Sequence, residues 1–305
     1  MSRGGVYAIL AYAAWGLFPL YFRELARVGA FEIVLHRVVW SLVFLLVLLA
    51  WLRRWDWLAT LRHRPAVLAA SCVSALLLSV NWLIYVWAVM NARVLDASLG
   101  YFINPLVNVL LGFFVLRERP RAGQWAAVGL AAGGVLWLAA LGPRVPWVGL
   151  AIALSFGLYG LMRKTAALGA IEGLTLETLL LAPLAVAVLG WWTWRGSGGL
   201  AHHDAVTLAW LIGVGPLTAV PLLLFAAGAR RIPMATLGLL QYISPTLQLL
   251  LGIWLFDEPL KGIRLAGFAT IWVALAIYSA EGWLNARATR RVALAQVAGQ
   301  AGERV

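Results

Sequence analysis

Long apolar runs, each closed by arginine, proline or glycine, set the rhythm of this chain. They fall at 4–22, 33–52, 66–90, 97–116, 122–141, 147–162, 174–194, 205–228, 234–256 and 265–285. A bilayer-spanning helix needs about 20 such residues, so the pattern predicts an all-α integral membrane fold of ten transmembrane helices. The sixth run is short, and Gly213, Gly215, Pro216 and Pro221 interrupt the eighth. None alternates with period two, which excludes an outer-membrane β-barrel. The first run follows Arg3 and meets Arg23 and Glu24 without a small-x-small site, so it reads as a retained helix rather than a cleaved signal.

Composition sharpens the picture. Of 305 residues, 63% are apolar and 12% charged, whereas a soluble domain is roughly half apolar and a quarter charged. The net charge of +12 is carried by arginines scattered in ones and twos between apolar runs, unlike the single basic face of a nucleic-acid binder. Cys72 is the sole cysteine, so no internal disulfide or multi-thiol metal site can form. Sixteen basic residues fall on the side of the N-terminus, the even-numbered loops and the C-terminal tail; seven fall opposite, with Arg37 inside the second run. The positive-inside rule then places both termini in the cytoplasm, with the tail 286–305 a frayed cytoplasmic end. Trp51, Trp55 and Trp57 cluster at one expected interface, and Trp191, Trp192 and Trp194 at the other.

A constant offset of 140 residues relates the fourth run to the ninth. Tyr101 falls on Gln241, Asn104 on Ser244, Pro105 on Pro245, Asn108 on Gln248, Gly112 on Gly252 and Glu118 on Glu258. An odd number of spans separates these copies, so they cross the bilayer in opposite directions, the pattern of an inverted repeat. The implied domains are 4–141 and 147–285. Tyr101, Asn104 and Asn108 share one helical face, as do Gln241, Ser244 and Gln248, and Ser74, Asn81 and Tyr85 form a third stripe. Polar side chains in hydrocarbon must face protein or water, so these stripes predict a hydrated space near the midplane. Interhelical hydrogen bonding that only braces the bundle is the plainer alternative. Pro105 and Pro245, with Pro216 and Pro221, are the expected bends.

Two charges lie within spans, again 140 apart: Arg37, after His36, and Glu177. About 20 Å of depth separates them, too far for an ion pair. Glu32 or Glu258 is the expected partner for Arg37, and Arg163 or Lys164 for Glu177. They are candidate gate elements, or simply braces at helix ends. His36 is a candidate proton carrier. No phosphate loop, H-E-x-x-H or G-x-S-x-G frame occurs, so no enzyme activity and no cofactor are expected. His202, His203 and Asp204 read as a solvated linker rather than a metal site. Gly129 and Gly133, with Gly134 beside them, predict a close helix contact within the chain.

Glu32–Ser41, Asn81-Trp82 through Trp87, the string Ala97-Ser-Leu-Gly-Tyr-Phe-Ile-Asn-Pro-Leu-Val-Asn108 and Gln241–Leu247 closely resemble the RarD branch of the EamA type within the drug/metabolite transporter superfamily. The resemblance covers nearly all ten spans. It implies two inverted five-helix repeats in the bacterial cytoplasmic membrane, working without ATP as a secondary transporter or facilitator of small organic molecules. Spans one, three, four, six, eight and nine would surround a cavity including Tyr12, Trp15, Asn81, Tyr85, Tyr101, Asn104, Asn108, Tyr159, Gln241, Tyr242 and Gln248. The association of RarD-like proteins with chloramphenicol sensitivity implies a neutral aromatic or amide-bearing substrate. The expected partners are that substrate and membrane lipid, with proton coupling and either a monomeric or homodimeric unit left open. A non-transporting membrane assembly or receptor is the alternative reading.

Overall fold

The computed structural model describes residues 2–91, 94–140, 147–200, 203–255 and 262–302. Among these the chain forms twelve helices and no strand. They are α1 (Arg3–Glu24), α2 (Ala30–Leu52), α3 (Trp57–His63), α4 (Pro65–Met90), α5 (Val94–Phe114), α6 (Ala122–Ala140), α7 (Trp147–Thr165), α8 (Ala170–Arg195), α9 (Ala205–Ala229), α10 (Met234–Leu240), α11 (Ile243–Leu255) and α12 (Gly262–Gly302). Eight apolar stretches are long enough to cross a bilayer, counting α10 and α11 together. The other two expected spans are taken by the helices α5 and α7, and α3 is a short addition.

Four expectations change. The sixth span is not short: α7 runs on to Thr165, because Arg163 and Lys164 find partners inside the protein. The eighth is not interrupted: α9 is one helix through Pro216 and Pro221. The ninth does break, between α10 and α11 at Gln241 and Tyr242, where the Ser244 N–H bonds to the Gln241 carbonyl. The tail is not frayed, since α12 continues to Gly302 through an Ala-rich stretch of high helix propensity.

The helices group into two compact units. The larger, Met1–Glu118 with Gly142–Pro259, holds α1–α5 and α7–α11. In it, α1 packs on α9 and α11, α7 on α4 and α5, α2 on α8 and α9, and α4 on α8. Exchanging each helix for its counterpart 140 residues away returns the same set of contacts. The inversion is visible directly in α2 and α8: Phe31 meets Trp192 at one end (5.9 Å between rings) and Arg54 meets Glu172 at the other (3.4 Å). The smaller unit, Arg119–Leu141 with Leu260–Val305, is built on the pairing of α6 with α12.

Close approach follows from small residues, as lipid offers no hydrophobic drive between helices. A Cβ on Gly16 of α1 would lie 2.7 Å from Leu247 of α11, and one on Gly157 of α7 would lie 2.7 Å from Val107 of α5. These contacts correspond in the two halves to within one position, Gly16 and Gly157 being 141 apart and Val107 and Leu247 140. In the smaller unit the close contact is made by Gly134, against Ile271 and Gly267 of α12, while nothing lies within 4 Å of a Cβ on Gly129 or Gly133. The expected glycine pair is thus displaced by one residue. Gly16→Ala should lower stability by about 1–3 kcal/mol through overpacking, and Gly129→Ala should be neutral or slightly stabilising. Thermal unfolding of the purified variants checks this; equal effects would contradict it.

Candidate functional site

Within the larger unit, the two ends of α1 serve as landmarks. The Arg3 end gathers the starts of α1 and α8 and the end of α7; the Glu24 end gathers the starts of α2 and α9.

Halfway between them, equivalent residues of the two halves touch. The Tyr242 hydroxyl donates to the Phe102 carbonyl at 3.1 Å, and these positions are 140 apart. Trp15 of α1 meets Phe156 of α7, 141 residues on and one place from the 140 register, with ring centroids 5.7 Å apart. Asn108 donates to Asn104 Oδ1 at 2.9 Å, and Gln248 donates to Ser244 Oγ at 3.5 Å, the same bond in each half. The two stripes meet through Gln241, at the end of α10, the helix that packs on α5.

The amides mostly bridge helices. Asn81 donates to the Ile152 carbonyl at 2.9 Å and to Ser155 Oγ at 3.0 Å. Asn104 donates to the Ala153 carbonyl at 3.1 Å, and half-buried Gln248 to the Trp15 carbonyl at 3.2 Å. Gln241, at the break, accepts from Asn108 at 3.4 Å. Asn108 Oδ1 and the Tyr12 hydroxyl are among the buried polar atoms without a partner in the described residues. Both border a cluster of rings in which Tyr12, Trp15, Phe156, Tyr159 and Phe225 contact one another. Phe156 and Phe225 escape sequence reasoning, because aromatic residues in an apolar run look like ordinary core. Tyr85 and Tyr101 lie apart from that cluster, pairing with each other at 6.3 Å.

Toward the Arg3 end, Glu177 is fully enclosed. It accepts from Ser74 Oγ (2.6 Å), Arg163 Nη1 (3.2 Å) and the Tyr159 hydroxyl (3.3 Å). Arg163 is itself 2% exposed and also donates to the carbonyls of Gly169 and Ala170. Of the two expected partners, Arg163 is the one used. Lys164 instead binds the carbonyls of Ala229 and Ile232 and pairs with Glu118 at 3.7 Å. A pocket of about 250 Å³ lies against this network, lined by Ser71, Ser74, Met162, Arg163, Leu168 and Glu177 among others.

Toward the Glu24 end, the expected pairing of Arg37 with Glu32 is not made. Glu32 accepts instead from the Gly199 N–H (2.5 Å) and contacts His203 Nε2 at 3.0 Å. Arg37 Nε donates to Thr218 Oγ1 at 3.0 Å, and its guanidinium lies 4.7 Å from the Trp82 ring centroid. Glu258, the other expected partner, lies outside the described residues, as does His202. His203 is not a solvated linker, because Glu32 draws it inward; Asp204 caps α9, accepting from the Thr207 N–H at 2.9 Å. That bond holds the Asp204 carboxyl below its ordinary range. His36 is buried, with Nδ1 accepting from Trp40 at 3.1 Å and Nε2 unpartnered. Among the described residues no cluster of His, Cys, Asp and Glu could hold a metal ion.

An all-α membrane protein of two inverted halves, with polar side chains meeting between them, has the build of a secondary transporter. A family model described as the EamA-like transporter family matches residues 2–140. An uncharacterized transporter of Pseudomonas aeruginosa is 47% identical over 94% of this chain and 96% of its own length. Protein RarD of Escherichia coli is 42% identical, covering 95% and 98%. Chloramphenicol-sensitive protein RarD of Pseudomonas aeruginosa is 33% identical, covering 96% and 99%. One solved crystal structure aligns with a TM-score of 0.69 at 21% identity, over 91% of this chain and 97% of that one, and shares the fold. The chain belongs to the EamA-like transporter family of the drug/metabolite transporter superfamily, in its RarD branch.

Removing one member of a buried ion pair strands the other charge. Arg163→Met should therefore destabilise the protein by about 3–5 kcal/mol, read as a lowered unfolding midpoint in detergent. An unchanged midpoint would contradict the pairing.

Proposed function

We propose that this chain is a secondary transporter or facilitator, working without ATP, that moves small organic metabolites or drugs across the bacterial cytoplasmic membrane by alternating access. The observation that carries this reading is the meeting of the two halves at corresponding positions, Phe102 with Tyr242 (140 apart) and Trp15 with Phe156 (141 apart), midway through the larger unit. One half rocking against the other about that locus exchanges two equivalent sets of contacts. The break at Gln241 and Tyr242, beside Pro245, is the hinge; Pro105, Pro216 and Pro221 bend within continuous helices. Glu177 is the gate element of the Arg3 end, since its bonds tie α4, α7 and α8 together. Arg37 has no comparable partner. Both termini are cytoplasmic, on the strength of the uneven basic residues, and the repeats are 4–141 and 147–285.

The ring cluster, with Tyr12 hydroxyl and Asn108 Oδ1 free, suits an aromatic, amide-bearing molecule better than a multiply charged one. The name of the Pseudomonas aeruginosa relative makes chloramphenicol-like compounds the first to try. A specific observation favours a second reading, a non-transporting assembly or receptor: the amides of Asn81, Asn104 and Gln248 are all engaged between helices.

Flux in proteoliposomes against a metabolite and drug panel, with and without a proton gradient, separates the two. Asn108→Leu and Gln248→Leu should each abolish flux while membrane yield holds. Activity surviving in both would remove the midplane site.

A further inference from the structure

The short helix α10, seven residues long, lies flush on α5. The approach is close because Gly238 has no side chain: a Cβ there would lie 2.6 Å from the Pro105 carbonyl and 2.9 Å from the Asn108 Cβ. The two ends of α10, about 10 Å apart, are each tied to the first half. At the site end, Gln241 accepts from Asn108 at 3.4 Å. At the other, the Glu118 carboxylate accepts from the Met234 N–H at 2.9 Å and the Ala235 N–H at 3.3 Å. Glu118 reaches them because the chain turns back after α5. Arg117 holds a left-handed φ of 55°, and the Glu118 N–H bonds to the Gly112 carbonyl at 2.9 Å. A non-glycine residue in that conformation is strained, and only the contacts around it keep it there. A Cβ on Gly112 would lie 2.6 Å from Glu118 Oε2, so glycine leaves the carboxylate its place. Lys164, 3.7 Å from Glu118 Oε1, also holds the carbonyls of Ala229 and Ile232, closing the connection from α9 to α10 over the Arg3 end.

We infer that α10 is a lever joining the central site to the mouth at the Arg3 end, and that Glu118 is the catch it releases. Between its ends α10 carries Met234 and Leu237, enclosed in the same apolar cluster as Tyr12, Tyr159 and Phe225. A molecule entering among those rings therefore bears on α10. Its amide carbonyl competes with Gln241 for the Asn108 donor, in the longest of the three bonds, while its amide N–H is met by the unpartnered Asn108 Oδ1. Freed at that end, α10 swings about the break at Gln241 and Tyr242 and draws Met234 and Ala235 off Glu118. Glu118 touches no cargo; it is a positioning residue that keeps the mouth shut while the site is empty. The lever rests on the proposed transport reading only for what fills the site.

Hydrogen–deuterium exchange of the full-length protein in nanodiscs, followed at the amides of Met234 and Ala235, reads the catch without any ligand. Gln241→Leu, made at the far end of α10, should speed exchange there about ten-fold, the size of one released hydrogen bond. Glu118→Gln should speed it about ten- to hundred-fold, since the bonds lost are charge-assisted. The double variant should exchange within about two-fold of the faster single one, because one lever is released once; independent ties would multiply. Amides of α6, in the smaller unit, should be unchanged in all three, which separates release of the catch from general loosening. Protection at Met234 and Ala235 that survives Gln241→Leu, effects that multiply in the double variant, or exchange that rises equally in α6, each overturns the lever. If exchange behaves as stated and the flux panel finds no cargo, transport falls and the lever stands. Cargo that moves through a protein whose catch ignores Gln241→Leu does the reverse.

Discussion

Inside a bilayer no water is on hand to satisfy a polar group, so each must find its partner within the protein. This chain meets that demand by sending side-chain donors across from one half to carbonyls of the other. Asn81 and Asn104 of the first half reach the carbonyls of Ile152 and Ala153 on α7; Gln248 and Tyr242 of the second reach those of Trp15 and Phe102. Neither half can close its own list of bonds. The larger compact unit accordingly takes helices from both, and the contact pattern survives exchange of the halves.

The two ends of that unit differ in how their charges are treated. At the Arg3 end, Glu177 and Arg163 are both buried, and each is met by neutral donors or acceptors as well as by the other. Such a pair adds little net stability, because desolvation offsets the attraction, but it fixes geometry closely. At the Glu24 end, the carboxylate of Glu32 is met by a backbone N–H and His203, while Arg37 rests on a hydroxyl and an indole. The proposed transport cycle uses this difference, with a buried ion pair latching one end and only neutral partners on Arg37 toward the other.

Most of the helical layout is legible in the sequence, because span length and bounding arginines are set by the bilayer itself. The repeat is legible for a related reason: Pro, Gly, Glu and amides are costly in a span, so their recurrence at one offset stands out. The continuity of α9 is hidden in the sequence, since Pro216 and Pro221 look like breaks, yet the helix runs through both. Partner choice was half hidden. Arg163 was among the candidates for Glu177, sitting at the adjacent helix end. Thr218 and Trp82 were not foreseen for Arg37, because an uncharged hydroxyl and a ring leave no charge pattern to read. The amides of the polar stripes bind carbonyls of facing helices, a contact no spacing in one helix can reveal.

The central claim is that the two mouths open and close in opposition. It is tested most directly by reading the accessibility of one position at each, in a Cys72→Ser background. Ser71→Cys reports from the pocket beside Glu177, and Tyr85→Cys from a half-exposed position toward the Glu24 end, each labelled by a maleimide in nanodiscs. Adding Glu177→Gln unlatches the Arg3 end. The account expects labelling at position 71 to rise and labelling at position 85 to fall. Rates that move together, or do not move, would contradict it.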